Sequence, residues 1–289
     1  MNIIVCIKQV PDTTEVKINP QTGTLIREGV PSIMNPDDKG GLEFALQLKD
    51  QYGAHVTVIT MGLPQADAIL REALAMGVDR AILLTDRKLG GADSLATSSS
   101  LAGALRTMDY DLIVTGRQAI DGDTAQVGPQ VAEKLGLPQV TYAEEIMKIE
   151  NSKITIRRGI AGGVETVEAP MPLLITVNGS AAECRPRNAK LVQKYKRALG
   201  VQEKAEITKA GQPLPYEDDY KQYPYLNIEE WSVADVDADV VQCGLSGSPT
   251  KVKTIQNIVF QAKESKVISS ADGEIDDLMK ELIENHTIG

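Results

Sequence analysis

The pattern of apolar positions changes character along the chain. Through the first two-thirds, short β-branched runs alternate with longer segments whose apolar residues recur at helical spacing, the signature of βαβ units that feed a parallel sheet. Asn2 to Ile7, His55 to Thr60, Arg80 to Thr85 and Asp111 to Thr115 read as strands. Leu42, Phe44, Ala45 and Leu48 mark one helix, and Ile69, Leu70, Ala73 and Leu74 mark a second that stops at Gly77. A third spans about Ser94 to Met108. A parallel sheet is buried on both sides, so these helices must cover both faces. Ligands of such sheets bind beyond the carboxyl ends of the strands, which directs attention to the loops after Ile7, Thr60, Thr85 and Thr115.

From about Glu144 the pattern turns to short extended pieces: Ile146 to Ile149, Lys153 to Arg158, Val164 to Glu168 and Leu173 to Val177. They predict antiparallel hairpins turning at Glu150-Asn151-Ser152 and Gly162-Gly163. After Val177 regular periodicity fades. Residues 180 to 250 hold Pro186, Pro213, Pro215, Pro224 and Pro249 but few apolar stripes, which predicts a segment lying along something else rather than building its own core. An amphipathic stripe returns at Ile275, Leu278, Met279, Leu282 and Ile283, predicting a helix from Gly273 to Asn285. The expected fold is therefore α/β: a doubly wound, mostly parallel, Rossmann-like sheet with an antiparallel extension and an irregular C-terminal arm ending in a helix. Residues 1–180 would form the α/β domain, which the family resemblance given below implies is nucleotide-binding, and residues 181–289 the arm.

Charge and composition narrow the function. Across 289 residues, 40 acidic against 30 basic side chains give a net charge of −10, which disfavours nucleic acid as a partner. No apolar run approaches the ~18 to 20 residues of a membrane span. The apolar start Ile3-Ile4-Val5 has no basic region ahead of it and reads as a strand rather than a signal peptide. Cys6, Cys184 and Cys243 are too widely spaced for a metal or redox pair and fit a reducing cytoplasm. The two histidines, His55 and His286, sit in no motif and read as surface residues, so triads and multi-histidine metal sites are excluded. No catalytic side chain and no metal ligand is assigned; any chemistry falls to a bound cofactor.

Three loops carry the candidate site. In Thr115-Gly116-Arg117-Gln118-Ala119-Ile120-Asp121-Gly122-Asp123-Thr124-Ala125-Gln126-Val127-Gly128, glycines permit tight turns and close ligand approach, while Asp123 or Thr124 can cap the next helix, whose free N–H groups favour phosphate. Gly90-Gly91-Ala92-Asp93-Ser94-Leu95-Ala96-Thr97-Ser98 again joins a strand to a helix, with Asp93 or Ser94 as N-cap. In Met34-Asn35-Pro36-Asp37-Asp38, capping of the next helix explains Asp37 or Asp38, whereas Asn35 has no such explanation. Neither G-x-G-x-x-G nor G-x-x-x-x-G-K-[ST] follows the first strand.

Together with Val5-Cys6-Ile7-Lys8-Gln9-Val10, the helix end Ala73-Leu74-Ala75-Met76-Gly77, and the stretch Ile156 to Val167 followed by Pro172-Leu173-Leu174-Ile175-Thr176, these strings resemble the small (beta) subunit of electron transfer flavoproteins. The resemblance implies a heterodimer with a larger, FAD-binding alpha subunit. Conventional members have Asp-Asp-Asp in the long loop and bind AMP. Here the loop reads Asp121-Gly122-Asp123, and the Gly90-to-Ser98 string resembles that of electron-bifurcating members, which hold a second FAD. That type takes a hydride from NADH and divides the electrons between a low-potential acceptor, ferredoxin or flavodoxin, and the alpha-subunit FAD serving an acyl-CoA dehydrogenase or reductase. The first alternative is a conventional, non-bifurcating small subunit binding AMP, and the second, outside the redox class, is a stand-alone nucleotide-binding module. The resemblance implies a cofactor-binding set of Cys6, Asn35, Met61, Gly62, Asp93, Ser94, Thr97, Ser98, Asp121, Gly122, Asp123, Thr124, Gln126, Val127 and Gly128.

Arg185, Arg187, Lys190, Lys194, Lys196 and Arg197 form a basic cluster in an acidic chain. By the same resemblance this is the loop that recognises the dehydrogenase, with Arg187, Leu191, Lys194 and Tyr195 as partner-binding residues. Tyr216, Tyr220, Tyr223 and Tyr225 follow in an irregular segment, a composition favoured at interfaces.

Overall fold

The computed structural model describes residues 1–12, 17–18, 25–26, 31–179, 181–250, 267–269 and 272–284. In chain order the first half contains β1 (Asn2–Cys6), β2 (Gln9–Pro11), β3 (Lys17–Ile18), β4 (Leu25–Ile26), β5 (Ser32–Met34), α1 (Pro36–Tyr52), β6 (His55–Met61), α2 (Asp67–Met76), β7 (Arg80–Leu84), α3 (Ser94–Leu105), β8 (Leu112–Gly116) and α4 (Val127–Leu135). The second half contains β9 (Gln139–Glu150), β10 (Lys153–Ile160), β11 (Gly163–Pro170), β12 (Leu173–Val177), α5 (Ala189–Tyr195), α6 (Val201–Lys209), α7 (Glu217–Gln222), β13 (Glu229–Trp231) and α8 (Asp272–Glu284).

One nine-stranded sheet organises these elements in the order β11-β10-β9-β12-β8-β1-β6-β7-β13. From β9 to β13 every neighbouring pair is parallel, and β9-β10-β11 is an antiparallel extension. Ile3, Val5, Val58 and Val114 pack with α1 and α2 residues such as Leu42 and Leu70, while Ile4, Ile59 and Ile113 pack with Leu101 and Leu105 of α3 and Val131 of α4. The alternation of side chains across each strand thus builds two apolar layers, as a doubly wound sheet requires.

One expectation is corrected here. Leu173–Val177 is not a hairpin strand but β12, fully buried and parallel to both β8 and β9. Its unbroken apolar run is what burial on both faces demands. Residues 181–250 add to the sheet's apolar layers rather than forming a core of their own: Tyr195, Ala198 and Ile228 join one layer, Val233 and Cys243 the other, and Glu229–Trp231 adds the edge strand beside β7. The chain separates into two units, Met1–Thr254 and Ile255–Gly289. In the second unit α8 presents Ile275, Met279 and Ile283 to solvent. Asn285, the expected end of that helix, and His286 lie outside the described residues; His55 is largely exposed, 3.7 Å from Asp79.

Candidate functional site

The sheet order creates one topological switch point. From β1 the chain passes through α1 to β6 and β7 on one side, then returns through α3 to β8 on the other, so the carboxyl ends of β1 and β8 open a crevice between diverging connections. The first turn of α1 stitches this crevice. Asn35, fully buried, donates from Nδ2 to the Gln118 carbonyl (2.8 Å) and accepts from the Ile120 N–H (3.1 Å). Asp37 accepts from the N–H groups of Gln118 (3.3 Å) and Gly179 (3.0 Å) and pairs with Arg117. Asp38 accepts from the N–H groups of Lys8 (2.7 Å) and Gly116 (3.1 Å), and the Lys8 ammonium reaches Asp121 at 2.6 Å. Asp37 is therefore not a helix cap, as the sequence reading expected; the N-cap Asn35 makes no capping bond, and these side chains are committed to the loop after β8.

That loop leads into an open helix terminus. Gln126 is the N-cap of α4 and makes no side-chain capping bond, which corrects the assignment of Asp123 or Thr124 to that role. Asp123 instead has a φ of 49° and accepts from Gln118 Nε2 at 2.9 Å. The first N–H groups of α4 thus keep their capacity for an anion. Directly against this turn lies Thr115: a Cβ on Gly128 would sit 2.6 Å from Thr115 Oγ1. That hydroxyl is buried and has no hydrogen-bond partner among the described residues. Such an orphan is costly unless a ligand or water completes it, so the terminus fits a polar, phosphate-bearing group. Gly116 is equally constrained, since a Cβ there would collide with the Asp38 carboxylate, whereas Gly122 is exposed and a Cβ there would meet nothing within 4 Å.

Helix α3 forms the adjoining wall. Asp93 caps it, accepting from the Ala96 N–H at 2.9 Å as expected, and its other oxygen accepts from the Thr250 N–H at 3.0 Å. Ser94 Oγ lies 3.5 Å from Thr124 Oγ1, bringing the two loops together. Ser98 is turned inward, bonded to the Leu95 carbonyl and to Gln130 of α4, and Thr97 is half-buried on the same helix. Met61 and Gly62 end β6, where the Gly62 N–H bonds to Leu84 and the preceding Thr60 hydroxyl is a second buried orphan. Cys6 is buried at the end of β1; burial, then the nearby Asp38 charge, pushes its thiol up to about 12, so it is neutral and unreactive. Among the described residues no group of three His, Cys, Asp or Glu side chains could hold a metal ion, and no helix is long and apolar enough to cross a membrane.

Sequence reasoning missed Lys8, Asp38 and Thr115 as members of this site. Asp38 was absorbed by the capping interpretation, and a strand threonine carries no local signal; only the absence of an explanation for Asn35 marked the α1 turn as unusual. The basic cluster is partly internal. Arg185 is bound to the buried Glu43 (2.9 Å) and to Asp50 (2.8 Å), and Arg197 to Asp219 (3.3 Å). Arg187 and Lys194 are exposed and Leu191 half-buried. Tyr195 is buried, edge-on to Tyr225 with ring centroids 5.9 Å apart, and Lys194 lies over both rings. Arg197 stacks on Tyr216, so this tyrosine segment packs on the chain itself.

An electron transfer flavoprotein domain model matches residues 22–210. The chain is 49% identical over 253 residues to an electron transfer flavoprotein subunit beta of Clostridium acetobutylicum, covering 88% of this chain and 86% of the relative. It is 46% identical over 254 residues to the caffeyl-CoA reductase-Etf complex subunit CarD of Acetobacterium woodii, covering 87% and 86%. It is 39% identical over 280 residues to the protein FixA of Azorhizobium caulinodans, covering 94% and 90%. Matches of this extent, on a doubly wound sheet, identify the chain as a member of the electron transfer flavoprotein family, on the side of its beta subunits.

Proposed function

We propose that this chain is the beta subunit of an electron-bifurcating electron transfer flavoprotein and that it holds FAD at the β1/β8 crevice. The observation that carries this reading is the uncapped first turn of α4 with the orphaned Thr115 hydroxyl pressed against it and open space at Gly122. A diphosphate is doubly anionic and bulky, and Gly122 places neither charge nor a side chain in its way. In this reading Gln126, Val127, Gly128 and Thr115 receive phosphate, while Ser94, Thr97, Ser98 and Asp93 line the α3 wall. Met61, Gly62 and Cys6 close the floor, and Asn35 with Asp121, Asp123 and Thr124 shapes the loop.

Bound FAD supplies hydride acceptance from NADH and one-electron transfer, chemistry that these side chains do not offer. The residues' own work is to bind, orient and shield. The Cys6 thiol is neutral at the end of β1, and Lys8 is held by Asp121 of the loop after β8. The partners in this reading are an FAD-binding alpha subunit, an acyl-CoA dehydrogenase or reductase, and ferredoxin or flavodoxin as low-potential acceptor. The name of the Acetobacterium woodii relative supports the reductase, and exposed Arg187 and Lys194 flanking Leu191 support a docking role for that loop. Three free cysteines fit a cytoplasmic setting. Anaerobic titration of the purified heterodimer with NADH tests this: uptake of two hydride equivalents, four electrons, supports two flavins, and uptake of one or none contradicts it.

A further inference from the structure

The shape of the Gly116–Asp121 backbone is set from outside the loop, by the first turn of α1. Asp38 is the member of that turn that joins two strands, because its Oδ2 accepts from the Lys8 N–H just beyond β1 and its Oδ1 from the Gly116 N–H at the end of β8. These are the neighbouring strands whose connections diverge at the switch point. The side chain is buried, and Gly116 is held so close to it that a Cβ there would collide with Oδ1. An ionised carboxylate accepts on both oxygens. Protonation turns one oxygen into a donor facing an N–H, so one of the two strand ends is released.

We propose that Asp38 is a proton-sensitive bolt across the crevice: ionised, it holds the ends of β1 and β8 and the Gly116–Asp121 loop in the nucleotide-binding shape, and protonated, it frees one end and weakens nucleotide binding. That the nucleotide is FAD rests on the function proposed above; the bolt does not. The charges around Asp38 are those of Lys8, paired with Asp121, and of Asp37, paired with Arg117, while Cys6 faces it as a neutral thiol. The β12 side contributes the Gly179 N–H, which is taken by Asp37. Burial pushes the Asp38 carboxyl up to about 7, against the lowering effect of hydrogen bonds from Asn35, Lys8 and Gly116 and of the Lys8 charge. Its state therefore changes around neutral pH. Because the folded value lies above the unfolded one, the folded chain binds more protons in between, and the fold gives up stability as pH rises through that window.

The test uses the complex of this chain with its alpha subunit, stripped of nucleotide. Amide exchange at Lys8 and Gly116, expressed as protection over the intrinsic rate, is followed with FAD affinity from about pH 5.5 to about pH 8.5, bracketing the transition. Protection at both amides and FAD affinity are expected to rise together, by up to about tenfold per pH unit below neutrality, and to level off above it. In Asp38→Asn both are expected to lose their pH dependence. Protection independent of pH in the wild type, or FAD affinity that falls with rising pH as simple charge repulsion would give, overturns the proposal. Should Asp38→Asn fail to fold, the wild-type titration, with the Asp38 carboxyl carbon followed by NMR, decides alone. A stripped complex that accepts AMP and refuses FAD would overturn the nucleotide assignment, while the amide protection still decides the bolt.

Discussion

Gly122→Asp restores a carboxylate to the middle of the nucleotide loop. In many loops such a change would be confounded by backbone strain, but here the neighbouring positive φ values belong to Asp123 (49°) and Ala125 (52°), and Gly122 has none. A side chain would enter open space, so charge is the perturbation. Gly122 is exposed, which places the effective dielectric between about 20 near a protein surface and about 80 in water. Two unit charges ~6 Å apart then repel by roughly 0.7 to 3 kcal/mol. At ~1.4 kcal/mol per tenfold, FAD affinity should fall about 3- to 100-fold, with the larger losses at low salt. Gly122→Asn is the control: nearly the same shape, no charge, and an expected affinity close to wild type. The assay is fluorescence titration of FAD into stripped heterodimer at two salt concentrations. Wild-type affinity in the Asp variant would refute a diphosphate near Gly122, and equal losses in both variants would refute the charge argument.

Thr115→Val removes a buried hydroxyl that has no protein partner, so the ligand-free chain should gain about 1 kcal/mol of stability while FAD affinity falls up to about tenfold; unchanged affinity would show that the hydroxyl does not meet the ligand. Glu43→Gln should destabilise the fold by about 3 kcal/mol in chemical denaturation, because it strips Arg185 of a charge-assisted partner that is itself buried. Burial alone would raise the Glu43 carboxyl, but the hydrogen bonds and charge of Arg185 hold it below the usual range. The wild type's advantage should therefore be full at neutral pH and fade as acidification passes below the usual glutamate range, where an unchanged difference would contradict the pairing.

What could be read from the sequence followed from periodicity. Strands β1, β6, β7 and β8 and the helices between them show themselves because each must be apolar on the faces it buries, and that fixed where the loops of the site begin. β12 was placed in the wrong environment because a five-residue apolar run is equally long in a hairpin and in a sheet centre. β13 was invisible: Glu229 and Glu230 look like solvent-facing residues, yet Glu229 is held by Arg80 at 2.6 Å and Trp231 lies under the same guanidinium. At the site, glycines and a capping aspartate announced the loops, and Asp93 does cap α3. Asp37 and Asp38 misled because an acidic residue in the first turn of a helix satisfies the local rule while its actual partners lie 30 to 142 residues away in sequence. Long-range hydrogen bonding of that kind leaves no local pattern, so the tie across β1 and β8 could be found only in three dimensions.

The nucleotide in the β1/β8 crevice is the point on which the rest depends. Denaturing the purified, undialysed heterodimer and separating its released nucleotides by chromatography, with protein quantified by amino-acid analysis, counts them directly. Two FAD per heterodimer and no AMP is the expected result, and one FAD with one AMP would contradict it.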